Sequence, residues 1–247
     1  MQATKEDYDA VGDIEPHRKR VYAAMMRSLD RSVARVMDKL VAEGIADNTI
    51  VVLSSDNGAA DYIGIDGVNA PYRGWKNTFF EGGLKIPMSV TWPGEIAPGT
   101  QIDAPVTHLD LMPTLVAAGG GALPDDRHID GRDMAPLWAG AERLTRPDDA
   151  MFWGTSDYRV VQSGGWKLQL NPRSEQTWLF NLNDDPTEQT NLAEAEPEKV
   201  AELTALNDAH WAGSKPLALS VVASPVTIDK HLAEEMVEGD AYIYWPN

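Results

Sequence analysis

The sequence predicts an α/β protein: a partial, mostly parallel sheet flanked by helices, followed by a small α+β subdomain with an antiparallel sheet. Three observations carry this expectation. A long helical periodicity runs straight into a short apolar run that ends in a polar cluster. The second half holds four short aromatic or β-branched segments separated by turn residues. The 247 residues, 43% hydrophobic and 24% charged, are enough for a real core in one large or two smaller domains. The composition shift places the division at 143/144, with residues 1–143 as the α/β part and 144–247 as the small subdomain.

Along the chain, Val21, Met25, Leu29, Val33, Val36 and Leu40 recur at three- and four-residue spacing from His17 to Glu43, with Arg27, Arg31, Arg35 and Lys39 between them. This is an amphipathic helix, ended by Gly44 at a C-cap position. After the Asp47-Asn48 turn, Thr49 to Leu53 is a continuous apolar run, which reads as a buried parallel strand. Ser54-Ser55-Asp56-Asn57-Gly58 then sits at the carboxyl end of that strand, the edge where open α/β sheets bind ligands. Ala59 to Phe80 has no sustained period and reads as a long surface loop, of a length that is uncommon unless functional. Leu84 to Trp92 reads as another strand and His108 to Ala118 as a short helix ended by Gly119-Gly120-Gly121. Met151–Trp153, Tyr158–Val161, Trp166–Leu170 and Trp178–Leu182 give the antiparallel sheet. Glu198 to Trp211, with Pro197 at its start, is a further helix; Tyr242 to Trp245 fits a late strand.

Two segments carry chemistry. Asp56 and Asn57 offer two adjacent hard oxygen donors of the type Ca²⁺ or Mg²⁺ prefers, although Asn-Gly is also a common tight turn that needs no ligand. Two donors fall short of the roughly six to eight oxygens Ca²⁺ takes, so the rest must come from elsewhere. The second segment is Arg73-Gly74-Trp75-Lys76-Asn77-Thr78-Phe79-Phe80-Glu81-Gly82-Gly83. Lys76 reads either as a snorkelling loop lysine or as a point charge for an anionic oxyester. Gly82-Gly83 lets the backbone pass close to the site. Asp61 and Asp66 are alternative metal ligands, although loop carboxylates in so acidic a chain are usually solvated.

These landmarks, in this order, resemble the sulfatase family. The pattern comprises Ser55-Asp56-Asn57-Gly58, then Arg-Gly-x-Lys-x-x-x-x-Glu-Gly-Gly-x-x-x-Pro from Arg73, and Trp92-Pro93-Gly94. It continues with Asp110-Leu111-Met112-Pro113-Thr114-Leu115, Asp130-Gly131-Arg132-Asp133 and Leu179 to Leu192. The resemblance covers the chain to about residue 212 and matches the family's C-terminal half. It implies hydrolysis of a sulfate monoester, with Asp56 and Asn57 as metal ligands, and with Lys76 binding the sulfate and assisting the leaving oxygen. Arg73 is a second substrate-binding candidate. The implied cofactor is a divalent cation, Ca²⁺ first and Mg²⁺ or Mn²⁺ as alternatives, at a site incomplete in these residues.

The departures bear on the same chemistry. The family's nucleophile is a formylglycine made within Cys/Ser-x-Pro-x-Arg; this sequence has no Cys and no Ser-x-Pro-x-Arg. The family's early Asp-Asp pair and the Lys and His residues near its nucleophile have no counterparts either. His17 reads as a helix-start residue and His108 as a structural hydrogen bonder. The expectation is therefore a truncated sulfatase-type enzyme whose intact form acts on a sulfate ester, small molecule or sugar. Its alternatives are an inactive fragment that self-associates or one half of a split protein. A related phosphonate or phosphate ester hydrolase and a weak carboxylester hydrolase also remain, although no Gly-x-Ser-x-Gly supports the last. Loss of neighbouring strands would expose apolar surface, so a homo-oligomer or a missing N-terminal half is the expected partner.

Bulk properties narrow the partners further. A formal charge of −17 disfavours nucleic acid and anionic membranes, whose affinity comes from Lys and Arg meeting phosphates. No stretch reaches the roughly 18 apolar residues of a membrane span. Met1-Gln2-Ala3-Thr4-Lys5-Glu6-Asp7 is polar and acidic, so no signal peptide is visible.

Overall fold

A computed structural model describes residues 1–155, 158–171 and 175–213 together with the backbone of 242–244. The chain divides into two compact units. One is built on Met1–Ser89 with Pro186–Gln189 and the strand at 242–244; the other is built on Val90–Asp185 and the segment from Thr190 onward. The boundary expected at 143/144 lies inside the second unit.

The first unit opens with two elements that periodicity does not reveal, strand β1 (Gln2–Thr4) and helix α1 (Lys5–Ala10). Thr4 caps α1 by accepting a hydrogen bond from Asp7 N, and its hydroxyl also lies 2.8 Å from Asp7 Oδ2. Helix α2 (His17–Ala42) follows, and His17 at its start bonds Tyr8 Oη at 2.6 Å. Fully buried Asp7 takes Arg27 and Arg31 from α2, at 2.6 Å each, and so ties α1 to it. Ala3, Val21 and Ala24 form the small core here.

Only the first turns of α2 are covered. Met25, Leu29 and Val36 of the expected apolar stripe are exposed, as are Met26 and Val41. Gly44 ends the helix at φ 68°, as the C-cap reading requires. Strand β2 (Val51–Ser54) is next, then the short helix α3 (Glu81–Leu84) and strand β3 (Met88–Thr91), which pairs with β2. The expected burial of the apolar run does not hold throughout: Leu53 is 44% exposed. With two strands in this sheet among the described residues, there is too little neighbouring surface to cover it.

In the second unit, a single 3₁₀ turn (His108–Asp110) leads into α4 (Leu111–Ala118), and α5 (Ala135–Trp138) follows. Asp110 is fully buried and accepts from Arg146 Nη1 (3.0 Å) and Nη2 (2.5 Å), Arg132 N and Thr107 N (2.7 Å each). Exposed His108 begins the turn.

The aromatic segments form the antiparallel sheet as read: β4 (Ala150–Gly154), β5 (Arg159–Ser163), β6 (Trp166–Asn171) and β7 (Gln176–Asn181), paired in chain order. Gly164 and Gly165, with φ of 56° and 82°, make the two-residue hairpin between β5 and β6, which demands positive φ at both positions. Helix α6 (Pro197–Trp211) packs through Leu203, Val200 and Leu206 against Val161, Leu168 and Leu179. Strand β8 (Tyr242–Tyr244) pairs antiparallel with β1, while Trp245 of the expected late strand lies outside the described residues. Among the described residues, no helix is long and apolar enough to cross a membrane.

Candidate functional site

The site begins where β2 ends. After Ser54 the chain turns through Ser55-Asp56-Asn57-Gly58, with Ser55 Oγ donating to the Asn57 carbonyl at 3.0 Å. Two backbone contacts then press the Arg73–Gly83 segment against the chain at this turn, and a third closes the segment on itself. Gly58 N donates to Gly83 O at 3.0 Å, Lys76 N to Ala59 O at 3.1 Å, and Gly82 N to Arg73 O at 2.7 Å. The approach is close enough to require glycine. A Cβ on Gly58 would lie 1.8 Å from Gly82 O, and one on Gly83 would lie 2.3 Å from Thr78 O. The Gly82-Gly83 pair therefore serves close backbone passage, as its sequence implied.

Two residues without a sequence-level assignment hold this arrangement. Asn69 clamps the long loop: its Oδ1 accepts from Ala59 N at 2.8 Å, and its Nδ2 donates to Ala59 O at 2.9 Å and Gly74 O at 3.1 Å. Glu188 is fully buried, its carboxylate accepts from Glu81 N at 2.5 Å, and its carbonyl accepts from Arg73 Nη1 at 3.1 Å. Glu188 belongs to the Asp-Pro-Thr-Glu landmark, the one sequence signal that marks it. Nothing local distinguishes Asn69 from the other polar residues of its loop.

The backbone contacts thus bring the turn holding Asp56 and Asn57 alongside the loop holding Lys76. Asp56 is exposed, and Asn57 and Lys76 are half-buried. Among the described residues, none of the three side chains makes a hydrogen bond or ion pair within the chain. An uncommitted lysine in a chain of charge −17 leaves its ammonium available to an outside anion. Arg73 is placed differently: its guanidinium, bonded to Glu188 O, lies 4.3 Å over the Phe80 ring and fastens the loop.

The donor chemistry at Asp56 and Asn57 fits part of a divalent-cation shell, since a carboxylate and an amide oxygen are adjacent and uncommitted. Among the described residues, no group of three or more His, Asp or Glu stands where it could hold a metal ion. The two residues therefore supply a share of the ligands rather than a whole site. Asp61 and Asp66 belong to a separate wall of the long loop.

Residues 2–121 match the family described as Sulfatase, and residues 73–207 match the family described as N-sulphoglucosamine sulphohydrolase, C-terminal. The chain is 40% identical over 171 residues to the steryl-sulfatase of Rattus norvegicus, covering 67% of this chain and 29% of that protein. It is 33% identical over 219 residues to the choline-sulfatase of Rhizobium meliloti (strain 1021), covering 83% of this chain and 40% of that one. The chain thus spans well under half the length of these relatives. Among solved structures, Ps i-CgsB in complex with k-i-k-neocarrahexaose is similar with a TM-score of 0.76 at 25% identity, covering 87% of this chain and 48% of that one. The phosphonate monoester hydrolase of Agrobacterium radiobacter shares the fold, with a TM-score of 0.61 at 23% identity, over 78% of this chain and 41% of that one.

Proposed function

The chain belongs to the sulfatase family, and from that premise we propose that it supplies the sulfate-gripping part of a sulfuric ester hydrolase. In this reading Lys76 binds the sulfate, and Asp56 and Asn57 hold the divalent cation that the family uses. The observation that supports it most is the backbone bond from Lys76 N to Ala59 O, which brings the loop carrying Lys76 alongside the turn that carries Asp56 and Asn57. Lys76 contributes a compact positive charge to the sulfate oxygens and a proton for the leaving alcohol oxygen as the S–O bond breaks. Asn69 and Glu188 position the loop and touch no substrate in this scheme. Of the cations, Ca²⁺ suits the hard oxygen donors best; when bound, it would neutralise charge on the sulfate oxygens.

The 247 residues contain no Cys/Ser-x-Pro-x-Arg, so the nucleophile in this proposal comes from polypeptide outside them. The same polypeptide, or a second copy of the chain, would cover the exposed stripe of Met25, Met26, Leu29, Val36 and Val41 and the exposed Leu53. It would also extend β2 and β3 into a larger, mostly parallel sheet.

Calorimetric titration with inorganic sulfate tests the assignment. The chain is expected to bind sulfate more tightly than phosphate, and Lys76→Ala to weaken that binding about tenfold or more, a change of about 1.4 kcal/mol. Sulfate affinity unchanged in Lys76→Ala would overturn the role given to this lysine. Tighter binding of phosphate would move the reading to the phosphonate and phosphate ester hydrolases of the same fold.

A further inference from the structure

Asn57-Gly58 is the single Asn-Gly step in the 247 residues, and it lies at the candidate site itself. Such a step is chemically labile in a free chain. Glycine has no side chain to shield its nitrogen and its backbone turns freely, so the nitrogen reaches the amide carbon of the asparagine before it. In that reaction Gly58 N bonds to Asn57 Cγ while the Cγ–Nδ2 bond breaks. The proton of Gly58 N ends on the departing ammonia, and a succinimide ring remains. Water then opens the ring. Cleavage of the bond from N to Cγ leaves aspartate, and cleavage of the bond from N to the Asn57 carbonyl carbon leaves isoaspartate. In isoaspartate the main chain runs through Cβ and Cγ and is one carbon longer.

The fold opposes the first step through the nucleophile. Gly58 is buried and its N–H donates to Gly83 O at 3.0 Å, so the nitrogen is held in a backbone hydrogen bond. The following residue is pinned on both sides: Ala59 N donates to Asn69 Oδ1 at 2.8 Å, and Ala59 O accepts from Lys76 N at 3.1 Å. The Asn57 carbonyl accepts from Ser55 Oγ at 3.0 Å. Swinging Gly58 N toward Cγ requires these bonds to open locally. The electrophile has no such protection, because the Asn57 side-chain amide makes no hydrogen bond among the described residues. Stability of the amide therefore lasts only while the backbone joint is closed.

We propose that Asn57 is a latent modification site: opening of the Gly58–Gly83 joint exposes it to conversion to aspartate or isoaspartate, and the isoaspartate product keeps the joint open. The close approach explains the second part. Even a Cβ on Gly58 would lie 1.8 Å from Gly82 O, and an extra main-chain carbon just before Gly58 displaces that residue against the same carbonyl. Either product also adds a negative charge beside Asp56, which opposes an anion such as sulfate. The modification is independent of the sulfate reading of Lys76; only its effect on sulfate affinity rests on that reading.

Incubating the 247-residue chain in mildly alkaline buffer, followed by peptide mapping with mass spectrometry, measures the amide lost at Asn57. Conversion is expected to be about tenfold or more slower in the folded chain than in urea, the factor given by an opening cost of about 1.4 kcal/mol. Gly83→Ala keeps the Asn-Gly step but forces the joint apart, since its Cβ would lie 2.3 Å from Thr78 O and 2.6 Å from Trp75 O; its rate in native buffer should approach that in urea. Asn69→Ala removes the clamp on Ala59 without adding bulk and should raise the rate partway, so the test stands even where Gly83→Ala does not fold. Equal rates in folded and unfolded wild type, no conversion in either, or folded variants that convert as slowly as the wild type would each overturn the proposal. Isoaspartyl chains, separated by ion exchange and returned to native buffer, should unfold at lower urea than the starting protein; an unchanged midpoint would overturn the claim that the joint stays open. A lowered midpoint with sulfate affinity intact would sink the sulfate reading and leave the modification standing.

Discussion

Replacing Gly58 by alanine probes the joint on which the site depends. The added methyl would lie 1.8 Å from Gly82 O, 2.8 Å from Gly82 C and 3.1 Å from Gly83 Cα, all of them backbone atoms that cannot swing aside. Relief requires the first gap to open to at least 3.0 Å, the shortest separation real Cβ atoms keep. That movement breaks the Gly58–Gly83 hydrogen bond and draws the Lys76 loop away from Asp56 and Asn57. Overpacking of this kind costs about 1–3 kcal/mol. The lost backbone bond adds about 1 kcal/mol. Urea unfolding followed by circular dichroism should show the loss as a lower midpoint, and sulfate affinity should fall about tenfold or more. Gly44→Ala is the control: its φ is 68° but a Cβ there meets nothing within 4 Å. It should cost about 1 kcal/mol of left-handed strain and leave sulfate binding unchanged. A Gly58→Ala chain that matches the wild type in both stability and sulfate affinity would refute the close-packed joint.

Two further perturbations test the scaffold. Asp110→Ala leaves the guanidinium of Arg146, 9% exposed, without its carboxylate, and should cost the second unit about 3–5 kcal/mol in urea unfolding; an unaltered midpoint would contradict the role given to this pair. Asp7 sets the acid response of the first unit. Burial alone would raise its pKa, but bonds from Thr4, Arg27 and Arg31 outweigh this and hold it below the usual carboxylate range. Because the folded value is the lower one, its stabilisation is complete above the unfolded value of about 3.9 and is lost as pH falls through the folded value. Unfolding midpoints measured from pH 6 downward should therefore drop less steeply in Asp7→Asn than in the wild type; equal slopes would count against it.

The strands β4 to β7 were legible because aromatic and β-branched runs separated by turn residues specify a local meander, and α2 and α6 because their apolar spacing is long and regular. What escaped the sequence was non-local or very short. Strand β1 has three residues and its partner lies some 240 positions away, so no window holds both. Glu188 meets Glu81 across 107 positions, and only the fold reveals that a C-terminal landmark braces the loop of Lys76. Periodicity marked which face of α2 is apolar but not how little of it is covered. At the site, the residue types of Asp56, Asn57 and Lys76 were readable, while the clamp of Asn69 depends on a loop path that composition does not encode. Arg73, a substrate-binding candidate from its place in the Lys76 loop, also bonds the Glu188 carbonyl and lies over the Phe80 ring, contacts that its local sequence does not encode.

In the proposed function, Asp56, Asn57 and Lys76 act together on one sulfate ester through a shared cation. Linkage tests it directly, because two ligands that meet at one site must alter each other's affinity by the same factor. Sulfate should be titrated into the chain with and without Ca²⁺, for the wild type and for Asp56→Ala. Sulfate binding should be tighter when Ca²⁺ is present, with the gain abolished in Asp56→Ala. A sulfate affinity that ignores Ca²⁺, or a Ca²⁺ effect that survives Asp56→Ala, would contradict it.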